Sequence, residues 1–131
     1  AKRVIFHREA IRTKEPMPFE LDSHKFQKGI ALNLQTPPEL LLPFSHTISS
    51  ILLMSIVPGA QGRPFDSAVL PRVKKVKEMY PNLLCGVDGG INESNILQVF
   101  QAGAKYAVVG SGIWGKEDPL EALRKLEQMV Q

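Results

Sequence analysis

Apolar positions along the chain fall into two kinds of segment that alternate. Residues 4–7, 29–33, 51–56, 83–87 and 106–109 are short apolar runs with little polar interruption. Runs of that kind suit strands buried on both faces, as in parallel sheets. Between them, apolar residues recur at helical spacing. Val69, Leu70, Val73, Val76, Met79 and Tyr80 form one such stripe. Pro71 falls in or just before its first turn, and Pro81 stops it. A second helix is predicted over about 92–102, with Ile96, Val99 and Phe100 on one face and Gly103 as its C-terminal cap. The last opens at Asp118-Pro119-Leu120-Glu121, a capping-box-like start with proline in the first helical position. Thr36-Pro37-Pro38-Glu39 opens a shorter one in the same way. Residues 12–28, with two prolines and mixed polarity, read as a loop with one helical turn. Strand and helix in series predict a parallel α/β sheet with right-handed crossovers.

Charge and composition narrow the possible partners. Sixteen basic and 13 acidic residues among 131 leave a net charge of +3. That balance is too mild to argue for nucleic acid and suits an anionic small molecule. The basic string from Arg72 to Lys77 is interleaved with valines and reads as the wet face of a helix. Cys85 is the sole cysteine and sits in an apolar run, so it reads as packing, with no intrachain disulfide and a reducing, cytoplasmic setting. No apolar stretch approaches a membrane span, and AKRVIFHREA lacks the apolar core of a leader.

In parallel α/β folds, ligands meet the C-terminal ends of the strands. Three of those ends are glycine-rich: Pro58-Gly59-Ala60-Gln61-Gly62, Asp88-Gly89-Gly90-Ile91 and Gly110-Ser111-Gly112. Glycine lets backbone N–H groups approach an anion closely, so phosphate is the expected guest. Gly110 to Gly115 also spells G-x-G-x-x-G, but Pro119 starts the next helix late and no acidic residue follows on a further strand, so a dinucleotide reading is rejected. Asp88 ends a strand with two glycines behind it. Its position leaves two readings open: a general acid/base or metal ligand, or a carboxylate that caps the next helix or bonds loop amides. His7 reads as a core or rim residue, and His24 and His46 as surface; the three histidines lack metal-site spacing. Met54 reads as packing or as contact with a substrate's apolar face, and Trp114 as packing or a site wall.

Taken together these motifs resemble the ribulose-phosphate 3-epimerase family. FHREA resembles that family's fourth strand, KGIALNLQTP its fifth, LLMSIVPGAQGRPF its sixth strand and loop, GVDGGIN its seventh, and AVVGSGIW its eighth. The resemblance implies a TIM barrel, here a partial (β/α)8 domain over 1–131 of about five parallel βα units. It implies that Asp88 is one of two acid/base aspartates and a ligand of a divalent metal (Zn, Fe, Mn or Co). It places Met54, Gly59, Ala60, Gln61, Gly62, Gly89, Gly90, Gly110 and Ser111 around a phosphorylated sugar. The implied reaction is epimerisation at C3 of a ketopentose 5-phosphate through an enediolate held by the metal. The family's other aspartate and two metal histidines lie on its second and third strands, which resemble no segment here. Within the match, Val57, Ala60, Gln61 and Arg63 depart from the family's usual loop. The expected partner is therefore a second copy in a homo-oligomer or a complementing N-terminal segment. Two other functions stay open: a phosphosugar-binding or assembly partner without catalysis, and a sister barrel decarboxylase or aldolase, against which FHREA and the MSI-x-PG loop argue.

Overall fold

A computed structural model describes residues 2–12, 25–56 and 64–131. Five strands form one sheet: β1 (Arg3–His7), β2 (Gln27–Leu32), β3 (Ser50–Met54), β4 (Leu84–Asp88) and β5 (Tyr106–Val108). They lie side by side in chain order, and every neighbouring pair is parallel. Doubly wound sheets reverse their strand order partway. An unreversed order, each crossover stepping the same way, is the winding of a barrel wall.

Alternation assigns the two faces. Ile30, Leu32, Ile51, Leu53, Cys85 and Val87 turn outward into the main core, where they meet Leu41, Phe44, Val69, Val73, Val76, Ile96, Val99 and Leu126. Their register partners one step on line the concave face: Ile5, Gly29, Ser50 and Leu84 in one row, His7, Ala31, Leu52, Gly86 and Tyr106 in the next, and Met54, Asp88 and Val108 at the rim. Small residues matter there. A Cβ on Gly86 would come 2.3 Å from the Tyr106 ring. That ring fills the gap and donates its hydroxyl to the Ile51 carbonyl at 3.3 Å. The Arg3 guanidinium stands 5.5 Å from the Tyr106 ring centroid, so side chains of the two outermost strands meet across the concavity.

The helices follow the apolar pattern closely in two cases. α1 (Val69–Met79) holds Pro71 in its first turn, where a missing N–H costs no intrahelical bond. α4 (Pro119–Met129) is capped by Asp118, whose carboxylate accepts from the Glu121 N–H at 3.0 Å. α2 (Ile96–Ala102) begins later than its sequence suggests, because Asn92 and Asn95 are used in the preceding turn; it ends as expected on Gly103 at φ 119°. The segment opened by Thr36-Pro37 is a 3-10 helix, Pro38–Phe44. A four-residue helix, α3 (Ser111–Trp114), stands where no helix was expected before Pro119. Most of the 12–28 loop lies outside the described residues.

Candidate functional site

The stretch after β4 is held by side chains on both sides. Ser55, fully buried just past β3, donates its N–H (2.8 Å) and its hydroxyl (3.0 Å) to the Asp88 carbonyl, and the hydroxyl also reaches the Gly89 carbonyl. The Ser55 carbonyl accepts from the Asp66 N–H at 2.8 Å, which ties in the residues leading to α1. Downstream, the Asn95 side chain donates to the Gly90 carbonyl at 2.9 Å and accepts from the Asn92 N–H at 3.0 Å. Asn92 in turn accepts from the Ser94 N–H at 2.9 Å. The loop therefore has a fixed shape. Gly89 (φ 126°) and Gly90 (φ 65°) sit in backbone regions that other residues avoid. Neither Ser55 nor Asn95 stood out in the sequence; a lone serine after an apolar run and one asparagine among polar neighbours carry no pattern.

This loop walls a cleft of about 890 Å³. Its lining comes from residues 90–95 after β4, from Ser111, Gly112 and Lys116 after β5, and from Pro64 and Phe65 ahead of α1. Two of the three glycine-rich strand ends thus converge as expected. Gly59, Ala60, Gln61 and Gly62, with Val57 and Arg63, lie outside the described residues. Gly110 precedes α3, and a Cβ built on it would have nothing within 4 Å. Gly90 is different. A Cβ there would strike the Phe65 backbone, 2.6 Å from its nitrogen, instead of projecting into the cleft.

Asp88 lies on the concave face at the rim, beside Met54 in register and next to the loop that forms the cleft. It is not among the cleft's lining residues. Asp88 does not cap α2, which starts eight residues later, and no hydrogen bond reaches its carboxylate among the described residues. Partial burial pushes its pKa up, and His7 partly offsets this. His7 is more exposed than a core residue, with its Nδ1 3.9 Å from a Glu9 carboxylate oxygen. Burial tends to raise the Glu9 pKa, but bonds from Thr36 and the Asn33 N–H outweigh it and hold the carboxyl below its ordinary range.

Several side chains depart from their expected surroundings. Arg72 is not on a wet face: its guanidinium donates to the Asn33 (3.0 Å) and Thr36 (2.6 Å) carbonyls and locks α1 to the loop after β2. Trp114 is 77% exposed and packs in no core. Cys85 is buried, and burial pushes its thiol up to about 12, as a packing residue requires.

No group of three or more His, Cys, Asp or Glu side chains able to hold a metal ion occurs among the described residues. Asp88 belongs to no such group, so the described residues do not by themselves fit a divalent ion. Among the described residues no helix is long and apolar enough to cross a membrane.

Sequential parallel winding, an outward apolar core and a concave face ending in a loop-built cleft define part of a TIM barrel. Solved structures agree. A 3-hexulose-6-phosphate synthase aligns over 100% of this chain and 63% of its own, with TM-score 0.73 and 22% identity. An orotidine 5'-monophosphate decarboxylase from Sulfolobus solfataricus aligns over 99% and 61%, with TM-score 0.69 and 14% identity. At such identities the likeness shows the fold alone. Sequence comparison is more specific. Residues 1–114 match the Ribulose-phosphate 3 epimerase family. The ribulose-phosphate 3-epimerase of Schizosaccharomyces pombe is 31% identical over 130 residues, 99% of this chain and 57% of that protein. That of Aquifex aeolicus is 37% identical over 106 residues, 78% of this chain and 48% of that protein. The chain belongs to the ribulose-phosphate 3-epimerase family, and it spans about half the length of the curated relatives it matches.

Proposed function

We propose that this chain supplies the phosphate-holding half and one proton-transfer face of a ribulose-phosphate 3-epimerase. The substrate is a ketopentose 5-phosphate, D-ribulose 5-phosphate interconverting with D-xylulose 5-phosphate. The observation that carries the reading is the convergence of Gly90 with Ser111–Gly112 on one cleft, next to the strand that ends in Asp88. The phosphate sits against these backbone N–H groups and those of Gly89 and Gly110. The sugar then extends along the rim toward Met54 and Asp88.

Asp88 takes the proton from C3 on one face of the sugar, or returns one to it, and a second acid/base group does the same on the opposite face. Inversion at a fixed intermediate needs both. An ordinary carboxylate near pKa 3.9 is a poor base toward carbon. A carboxyl raised by burial is better matched to that task. The divalent metal expected in the family would act as a Lewis acid on the ketose oxygens. Asp88 would be this chain's one ligand to it, and the described residues complete no such site. The second acid and the remaining ligands come from a complementing segment that carries the family's second and third strands.

The test is epimerase turnover of D-ribulose 5-phosphate by the chain alone and mixed with the N-terminal half of a relative, beside calorimetric binding of the phosphosugar. Turnover in the mixture that Asp88→Asn abolishes, with binding retained, supports the reading. Turnover that survives Asp88→Asn overturns the role of Asp88. A second reading needs only the cleft: a phosphosugar-binding or assembly partner. It is favoured by binding without turnover in every mixture.

A further inference from the structure

We infer that Lys116 is the side-chain cation that selects a phosphorylated ligand in this cleft, and that Lys125 keeps it available by neutralising Glu93. The inference rests on the proposed phosphate reading and adds to it a charge contact beyond the backbone cup. Lys116 follows α3, where its N–H donates to the Ile113 carbonyl at 3.2 Å, and it lines the cleft with Ser111 and Gly112. Glu93 lines the same cleft from the loop after β4. An uncompensated carboxylate there would repel an anion and attract Lys116. The structure answers that charge from outside. Lys125 of α4, which is not part of the lining, places its Nζ 2.8 Å from a Glu93 carboxylate oxygen. Lys116 forms no ion pair among the described residues and acts on Glu93 only through space, more weakly than Lys125 does. With Lys125 counted beside the lining, the charges in and around the cleft sum to one net positive, the balance that favours a phosphate over a neutral sugar.

Inorganic phosphate titrated into the chain, followed by amide shifts of Gly90 and Gly112, tests this against Lys116→Met, Lys116→Arg and the distant Lys105→Met. Lys116→Met should weaken binding roughly three- to tenfold, the scale of a partly exposed charge contact. Lys116→Arg should keep most of the affinity, and Lys105→Met should change it less than about twofold. Lys125→Met should weaken binding in the native background but not beside Glu93→Gln. Equal affinities for Lys116→Met and Lys105→Met would overturn the role of Lys116 while leaving the phosphate reading intact. Equal losses for Lys125→Met in both backgrounds would overturn the shielding role. Amides of Gly90 and Gly112 that ignore phosphate would remove the phosphate reading and this inference with it.

Discussion

Replacing Gly90 by alanine should damage the fold, whereas the same change at Gly110 should damage only the ligand site. At Gly90 two penalties combine. The residue sits at φ 65°, where an L side chain costs about 1–2 kcal/mol. The added Cβ would also lie 2.6 Å from the Phe65 nitrogen and 2.9 Å from its Cα. Those are backbone atoms that cannot swing aside, and crowding of this kind costs about 1–3 kcal/mol. Reduced freedom of the unfolded chain returns about 0.4–1 kcal/mol. The net loss is about 1–5 kcal/mol. With an unfolding entropy of about 2.1 cal/mol/K per residue and 131 residues, that lowers Tm by about 4–17 °C. Gly110 has φ −103° and open space where its Cβ would go. Its alanine variant should stay within about 0.5 kcal/mol of the parent, yet lose phosphate affinity because the methyl occupies the approach to the backbone. Thermal unfolding by circular dichroism and a phosphate titration on both variants provide the test. A Gly90→Ala protein melting within about 2 °C of the parent would show that the Asn95-knit loop yields freely. Unchanged phosphate affinity in Gly110→Ala would put the anion elsewhere.

Other expectations follow from burial and charge. Asp88 has a raised pKa when folded, so its ionisation opposes folding: stability is fully present below the unfolded value near 3.9 and declines as pH rises through the folded value. Asp88→Asn should therefore raise Tm at neutral pH and leave it unchanged at strongly acid pH; the same increment at every pH would contradict the burial argument. Cys85, pushed up to about 12, should resist maleimide at pH 8 in the folded chain and react promptly in denaturant; fast labelling of the native protein would refute its placement. Leu53→Ala empties a fully buried site on β3 and should cost about 2–5 kcal/mol in denaturant melts. Arg72→Met should cost about 1–3 kcal/mol, because two part-buried carbonyls lose a charged donor, and a silent substitution would mean that water replaces the guanidinium.

The parallel sheet could be read in advance because strands buried on both faces leave apolar runs, α1 because its stripe lies between two prolines, and α4 because Asp118 and Pro119 mark its start. Boundaries shifted where polar residues served the tertiary structure. Asn92 and Asn95 look like a helix start, yet they knit the Gly90 turn, so α2 begins at Ile96. Arg72 looks like a surface charge in a basic string, yet carbonyls 36 and 39 residues away capture it. Asp88 and the glycines were visible because acid and glycine are both unusual at the end of an apolar strand. The Ser55 staple was not, since one hydroxyl has no periodicity to betray it. Nor could sequence order tell that Gly90 is needed by Phe65, a neighbour 25 residues earlier in the chain.

Gly86 acts as a keyhole. Because it lacks a side chain, the Tyr106 ring lies over β4 and touches the main chain of β3, while Arg3 from the far edge rests above that ring. A methyl group at this point of the wall would evict the ring, strip Arg3 of its seat and loosen both margins at once. The curvature of the wall is thus set by an atom that is missing from β4.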